Sequence, residues 1–140
     1  MRSGKRTSAG AKPAKKTAAP ASGPQREVFD KLREILRAYE SDYAVTVDTA
    51  TDYSMETRGA AFRGKPVCFA AVKMLTSKVG VYVMGVYASS EIQAMVTPEL
   101  KRLQTGKCCF NFSSADEALF RRLAEIIARC HSGYRKLGWV

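Results

Sequence analysis

The chain of 140 residues carries one histidine, one tryptophan and no C-x-x-C pair among its four cysteines. With His131 alone, near the C-terminal end, no local pattern sets a base beside a nucleophile, which argues against an enzyme of the nucleophilic class. Gly80 and Gly85 fall inside a strand pattern rather than between a strand and a helix, so a phosphate-cradling loop is a poor reading. Cys68, Cys108, Cys109 and Cys130 lack the spacing of a zinc site or a disulfide framework, and reduced thiols are expected. No apolar run approaches the roughly 18 residues of a membrane span. Residues 1–20 hold no apolar core of a secretory signal. Together these absences lead to the expectation of a cytoplasmic, non-enzymatic protein with no membrane contact and no resident cofactor.

Acids are missing altogether from residues 1–24, a low-complexity Ala/Lys/Ser/Pro/Gly segment that includes Arg2, Lys5, Arg6, Lys12, Lys15 and Lys16. Such a composition buries too little apolar surface to offset its ordering entropy, so a disordered basic tail is expected ahead of a single domain over residues 25–140. The formal net charge of +10 therefore belongs mainly to the tail. Lys5, Arg6, Lys12, Lys15 and Lys16 suit sequence-independent phosphate contacts, so weak association with nucleic acid through the tail is one expectation. A purely solubilising segment and a transit peptide are the alternatives.

Past the tail, hydrophobic spacing sets the elements. Val28, Leu32, Ile35, Leu36 and Tyr39 recur at helical intervals over residues 26–39, with charge on the other face. Residues 44–50 read as a short strand. Residues 57–63 and 66–74 flank Gly64-Lys65 as a hairpin, and residues 79–87 follow as a strand apolar on both faces. Ser89 or Ser90 and then Thr97-Pro98 cap two short helical segments. Residues 107–112 form a further strand. Ser114 to Glu117 read as a capping box for a last helix ending near Gly133. Hairpin-joined strands with helices at the two ends predict an α+β fold, with an antiparallel sheet of about four to five strands and the N-terminal and C-terminal helices packed on one face.

Four stretches in this order resemble one known family: Gly64 to Lys73 (G-K-P-V-C-F-A-A-V-K), Val79 to Met84, Pro98-Glu99-Leu100, and Gly106 to Phe112 (G-K-C-C-F-N-F). The chain is similar over about residues 26–130 to the YdhG-like family, whose domains have no assigned biochemical role. The resemblance implies a small cytoplasmic α+β domain without established enzyme activity. Its helix–sheet–helix order is similar to frataxin, and on that basis it implies a possible iron-chaperone role.

Candidate sites follow. Iron would take oxygen ligands, and Glu27, Asp30 and Glu34 fall close to one face of the first helix, within an acid-rich stretch that continues through Glu40, Asp42, Asp48, Asp52 and Glu56. Arg26, Lys31, Arg33 and Arg37 are interleaved with them, so an ordinary solvated face is the alternative. Lys73, Tyr82, Tyr87 and Lys107 could line a ligand-binding surface among the aromatic strands, with the rings as plain core the competing reading. Cys108 and Cys109, adjacent on an expected strand, should point to opposite faces. The overall expectation is an accessory protein that binds a small ligand or another protein. A frataxin-like iron carrier and a tail-mediated nucleic-acid binder are the alternatives.

Overall fold

The computed structural model describes residues 23–140. The tail cations Lys5, Arg6, Lys12, Lys15 and Lys16, and the expectations placed on them, lie outside the described residues. Helix α1 (Pro24–Arg37) opens with proline in its first turn and buries Val28, Phe29, Leu32 and Leu36. In that first turn Gln25 donates from Nε2 to the main-chain oxygens of Leu75 and Lys78, at 2.6 and 2.9 Å. A 3-10 turn (Glu40–Asp42) leads into β1 (Ala44–Asp48) and β2 (Asp52–Glu56), and residues 57–67 connect these to β3 (Cys68–Met74) and β4 (Val79–Val83). Three short helices follow, α2 (Met84–Ala88), α3 (Ser90–Gln93) and α4 (Pro98–Lys101), then β5 (Gln104–Thr105), β6 (Cys109–Phe112) and the closing helix α5 (Glu117–Lys136).

The fold is α+β, built on one six-stranded sheet in the order β1-β2-β3-β4-β6-β5 with antiparallel pairings throughout. Six strands stand where about four to five were expected. The two that the hydrophobic pattern did not reveal are β2, a D-Y-S-M-E segment whose polar positions outnumber its apolar ones, and the two-residue β5. Residues 57–63, expected as a strand, instead belong to an extension of the β2–β3 connection.

Alternation along the strands separates two unlike faces. Tyr53, Val72, Val81 and Phe110 stand in register across β2, β3, β4 and β6, and all are buried. Met55, Ala70 and Val83 form a second buried row. The long helices cover this face. The guanidinium of Arg37 on α1 lies over the Tyr53 ring, Phe120 of α5 meets Phe112 edge-on at 5.1 Å, and Lys31 of α1 bridges to Glu117 of α5. Each large apolar side chain buried here contributes about 1.5–3 kcal/mol, so this seam is the main source of stability.

A bulge breaks the alternation once in β3. Met55 pairs with Ala70 and Glu56 with Cys68, which leaves Phe69 as the extra residue. Phe69 and Ala70 are consequently both buried. The freed Phe69 ring stacks on Tyr43 at 4.2 Å and meets Tyr134 edge-on at 5.6 Å, tying the end of the sheet to α5.

The apolar run at residues 79–87 is strand only as far as Val83. There the chain turns into α2, because Gly85 lets the backbone press against Cys130 of α5. Helix α5 is capped by Asp116, whose carboxylate accepts from the Leu119 amide, rather than by Ser114, and it runs through Gly133 to Lys136. Ser89 and Thr97 cap α3 and α4 as their positions suggest.

Candidate functional site

The sheet face opposite the helices is only partly covered. Its central row runs Val47-Ser54-Ala71-Tyr82-Cys109-Thr105 across all six strands, and its neighbour runs Asp52-Lys73-Gly80-Asn111. None of these ten residues is buried. Short side chains occupy the middle, and Gly80 is short for a reason: a Cβ there would come 3.1 Å from Asn111 Oδ1 and 3.4 Å from Leu75 Cδ1. Tyr82 is the one large ring on this surface. Its hydroxyl donates toward Met84 Sδ at 3.6 Å, and burial, reinforced by the Cys108 thiol, pushes its pKa up to about 12. It is a neutral hydrogen-bonding phenol at any physiological pH. Lys73 stands exposed opposite Asp52, a cross-strand pair of opposite charge.

The four residues expected to line a ligand surface therefore divide. Lys73 and Tyr82 share the open face. Tyr87 and Lys107 form a separate pair at the end of α2 and the β5–β6 turn, with Lys107 Nζ 5.4 Å from the centroid of a ring that is 58% exposed. A cation over an exposed ring contributes about 0.5–1 kcal/mol. The Lys107 carbonyl also accepts from Gln104 Nε2, a main-chain bond that fixes the turn whatever side chain stands there.

The acid-rich stretch is a lattice of ion pairs. Asp30 is shared by Arg26 and Arg33, and Asp48 by Arg33 and Arg37. Glu40 faces Arg37 and accepts the Tyr53 hydroxyl. Asp42 faces His131 and Arg135. Of the proposed iron ligands, Asp30 is thus engaged by two guanidinium groups. Glu34 lines an open cleft of about 380 Å3 with Lys31, Ile35, Glu117 and Phe120, on the helical side of the molecule. Glu27 is exposed on α1. Among the described residues no group of three or more His, Cys, Asp or Glu side chains is arranged to hold a metal ion.

His131 is held at both nitrogens. Nδ1 lies 2.8 Å from the Tyr43 hydroxyl and Nε2 lies 3.4 Å from Asp42 Oδ2, with the rings of Tyr39, Tyr43 and Phe69 around it. Tyr134 completes this cluster by donating to the Cys68 carbonyl at 2.7 Å. All four thiols are free. Burial pushes Cys130 up to about 12 and, with help from the Glu56 carboxylate and the Cys108 thiol, Cys68 up to about 11. β6 begins at Cys109, with the Cys108 carbonyl still accepting from the Val83 amide at 2.8 Å; Cys108 is buried, whereas Cys109 is half-buried in the open-face row.

The turn expected at Gly64-Lys65 lies one residue earlier, at Arg63-Gly64, between the bridged pair Phe62 and Lys65. Residues 57–67 form a braced hairpin extension with Phe62 at its tip, 54% exposed, beside the positive-φ pair Arg63 (52°) and Gly64 (76°). Gly64 was the available signal for a turn; Arg63, a residue the left-handed region disfavours, gave none for its first position. Comparison of the chain with protein-family models, with curated proteins and with solved structures finds no match.

Proposed function

We propose that the protein is a non-enzymatic, cytoplasmic binding domain of the YdhG-like type, and that it receives a protein partner on the open face of its sheet. The observation that supports this most is the asymmetry of the sheet. Its helix-facing rows are buried throughout, whereas the Val47-to-Thr105 row and the Asp52-to-Asn111 row are left accessible. A surface with small residues at its centre, one neutral phenol and one lysine offers area and hydrogen bonds to a complementary surface. It offers a small molecule little enclosure, in contrast to the concave sites such ligands favour. The accessory, non-catalytic reading draws support from His131, whose two nitrogens already face Tyr43 and Asp42, and from thiols kept protonated by burial.

Site-specific photo-crosslinking tests the reading. A photoreactive amino acid placed at Lys73 or Asn111 should yield a discrete adduct in cells, and Ala71→Arg in the middle of the face should abolish it. The same probe at Arg121, on the exposed side of α5, should yield none. Equal labelling from Arg121, or adducts insensitive to Ala71→Arg, would remove the sheet face as the working surface.

A further inference from the structure

The β2–β3 connection is long for a hairpin but it is not loose. At its base stands Thr57, the one polar residue in the buried set of the described chain. Its amide donates to the Val67 carbonyl at 2.9 Å, while its Oγ1 accepts from the Val67 amide and donates to the Gly59 carbonyl, each at 2.9 Å. At the tip, Phe62 and Lys65 pair as an isolated antiparallel bridge around Arg63 and Gly64. Both central residues have positive φ, the pattern of the tight two-residue turn that matches strand twist. Arg63 is the one non-glycine residue of the described chain with positive φ, a conformation that disfavours any residue with a Cβ. A strained residue held in place by its surroundings invites a functional explanation.

What the turn presents is specific. Phe62 is 54% exposed, with the Arg63 guanidinium 5.1 Å from its ring centroid. Arg58 and Lys65 are exposed beside it, and no acid occurs between Glu56 and Glu91. Arg58 is partly engaged, donating to the Glu40 carbonyl at 3.3 Å, so Arg63 and Lys65 are the freer cations. One presented ring among cations matches the chemistry of single-stranded nucleic acid, where a base stacks on an aromatic face and neighbouring phosphates meet Arg and Lys. A lipid surface asks for a broader apolar face than one ring flanked by alanines and a proline.

We propose that the 57–67 hairpin is a contact site for single-stranded nucleic acid, with Phe62 stacking on a base and Arg63 and Lys65 meeting the flanking phosphates. The site is distinct from the open sheet face and from the basic segment of residues 1–24.

Fluorescence anisotropy of the full chain with a labelled twenty-nucleotide oligo-dT or oligo-U tests it, at low and at moderate salt. Phe62→Ala and Phe62→Leu should each weaken binding on the order of tenfold, whereas Phe62→Trp should retain it. Lys65→Gln should lower the slope of log affinity against log salt by about one. Arg63→Asn should weaken binding while raising the melting temperature, because asparagine tolerates the left-handed backbone better. A purely structural role for Arg63 would give the second effect without the first. The proposal is overturned if the wild-type chain fails to bind at low salt, if Phe62→Ala binds as wild type, or if deletion of residues 1–22 alone removes all binding. It is equally overturned if Phe62-dependent binding is found for phosphatidylserine-containing vesicles and not for the oligonucleotides.

Discussion

Gly85 lies directly against Cys130: a Cβ at position 85 would come 2.4 Å from the cysteine Sγ and 2.7 Å from its Cβ. This contact joins the switch from β4 to α2 to the middle of α5, and it leaves room for hydrogen alone. Gly85→Ala should therefore destabilise the fold by about 1–3 kcal/mol, the usual cost of overpacking a filled core. Urea denaturation measures it. Cys130→Gly in the same chain should recover part of the loss, although glycine inside a helix itself costs about 1 kcal/mol. Strict additivity of the two substitutions would show that the contact is not the cause.

Alkaline pH should weaken the protein through the same cysteine. The Cys130 thiol has an ordinary value of 9.0 and is pushed up to about 12 by burial; Cys68 is pushed up to about 11. The unfolded chain loses these protons first, so stability is level below about pH 9 and falls as pH rises from there toward the folded values. The slope is at most about 1.4 kcal/mol per pH unit for each thiol. Denaturation midpoints at pH 7, 9.5 and 10.5 should fall in that order, and Cys130→Ala should flatten the decline. An unchanged slope in that variant would assign the loss to other groups.

Thr57→Val keeps the volume of the residue but removes its hydroxyl, leaving the Val67 amide without the partner it has at 2.9 Å. A buried donor left unpaired costs about 1–3 kcal/mol. The loss should be felt at the base of the hairpin extension, with faster tryptic cleavage after Arg58 and Arg63 than in the wild type. Global unfolding with no change in cleavage at those bonds would contradict the bracing role.

Tyr53→Phe tests the link between the helix-facing row and the 3-10 turn. The Tyr53 hydroxyl donates to the Glu40 carboxylate, and burial followed by that bond raises the phenol above its ordinary value of 10.0. Glu40 is 40% exposed, so loss of this charge-assisted bond should cost about 1 kcal/mol rather than the 3 kcal/mol of a fully buried one. A chemical-denaturation difference below the error of the fit would show that water replaces the carboxylate at no cost.

The fold class, α1, α5 and the central strands were legible because their apolar spacing is imposed by one buried face. Val79, Val81 and Val83 alternate because alternate residues meet the helices. The same pattern misled at Met84 to Tyr87, where the apolar run continues past the strand although α2 already begins at Met84, with Gly85 packed against Cys130. Ser54 and Glu56 obscured β2, since a strand with one accessible face can carry polar residues on it. The interleaved bases on α1 made local pairing of the acidic stretch legible as the alternative to a ridge, but the pairs of Arg33 and Arg37 with Asp48 and of Arg135 with Asp42 depend on packing between separate elements. The open face itself was not legible, because periodicity predicts which residues are apolar and not which layer is missing.

The extra residue at Phe69 has a consequence for how sequence change is tolerated along the sheet. On β2 and β4, harm from substitution should follow parity, odd-numbered positions sensitive and even-numbered ones permissive apart from Gly80, where a Cβ would crowd Asn111 and Leu75, because Tyr53, Met55, Val79, Val81 and Val83 are buried. On β3 the bulge shifts the phase, so that Ala70 and Val72 become sensitive while Ala71 and Lys73 are permissive, with Phe69 and Ala70 as the single adjacent sensitive pair. A saturation scan would therefore record the bulge as a one-residue slip in an otherwise alternating pattern, and a drifting lineage could add or lose a residue in this strand only by rewriting every position on one side of it.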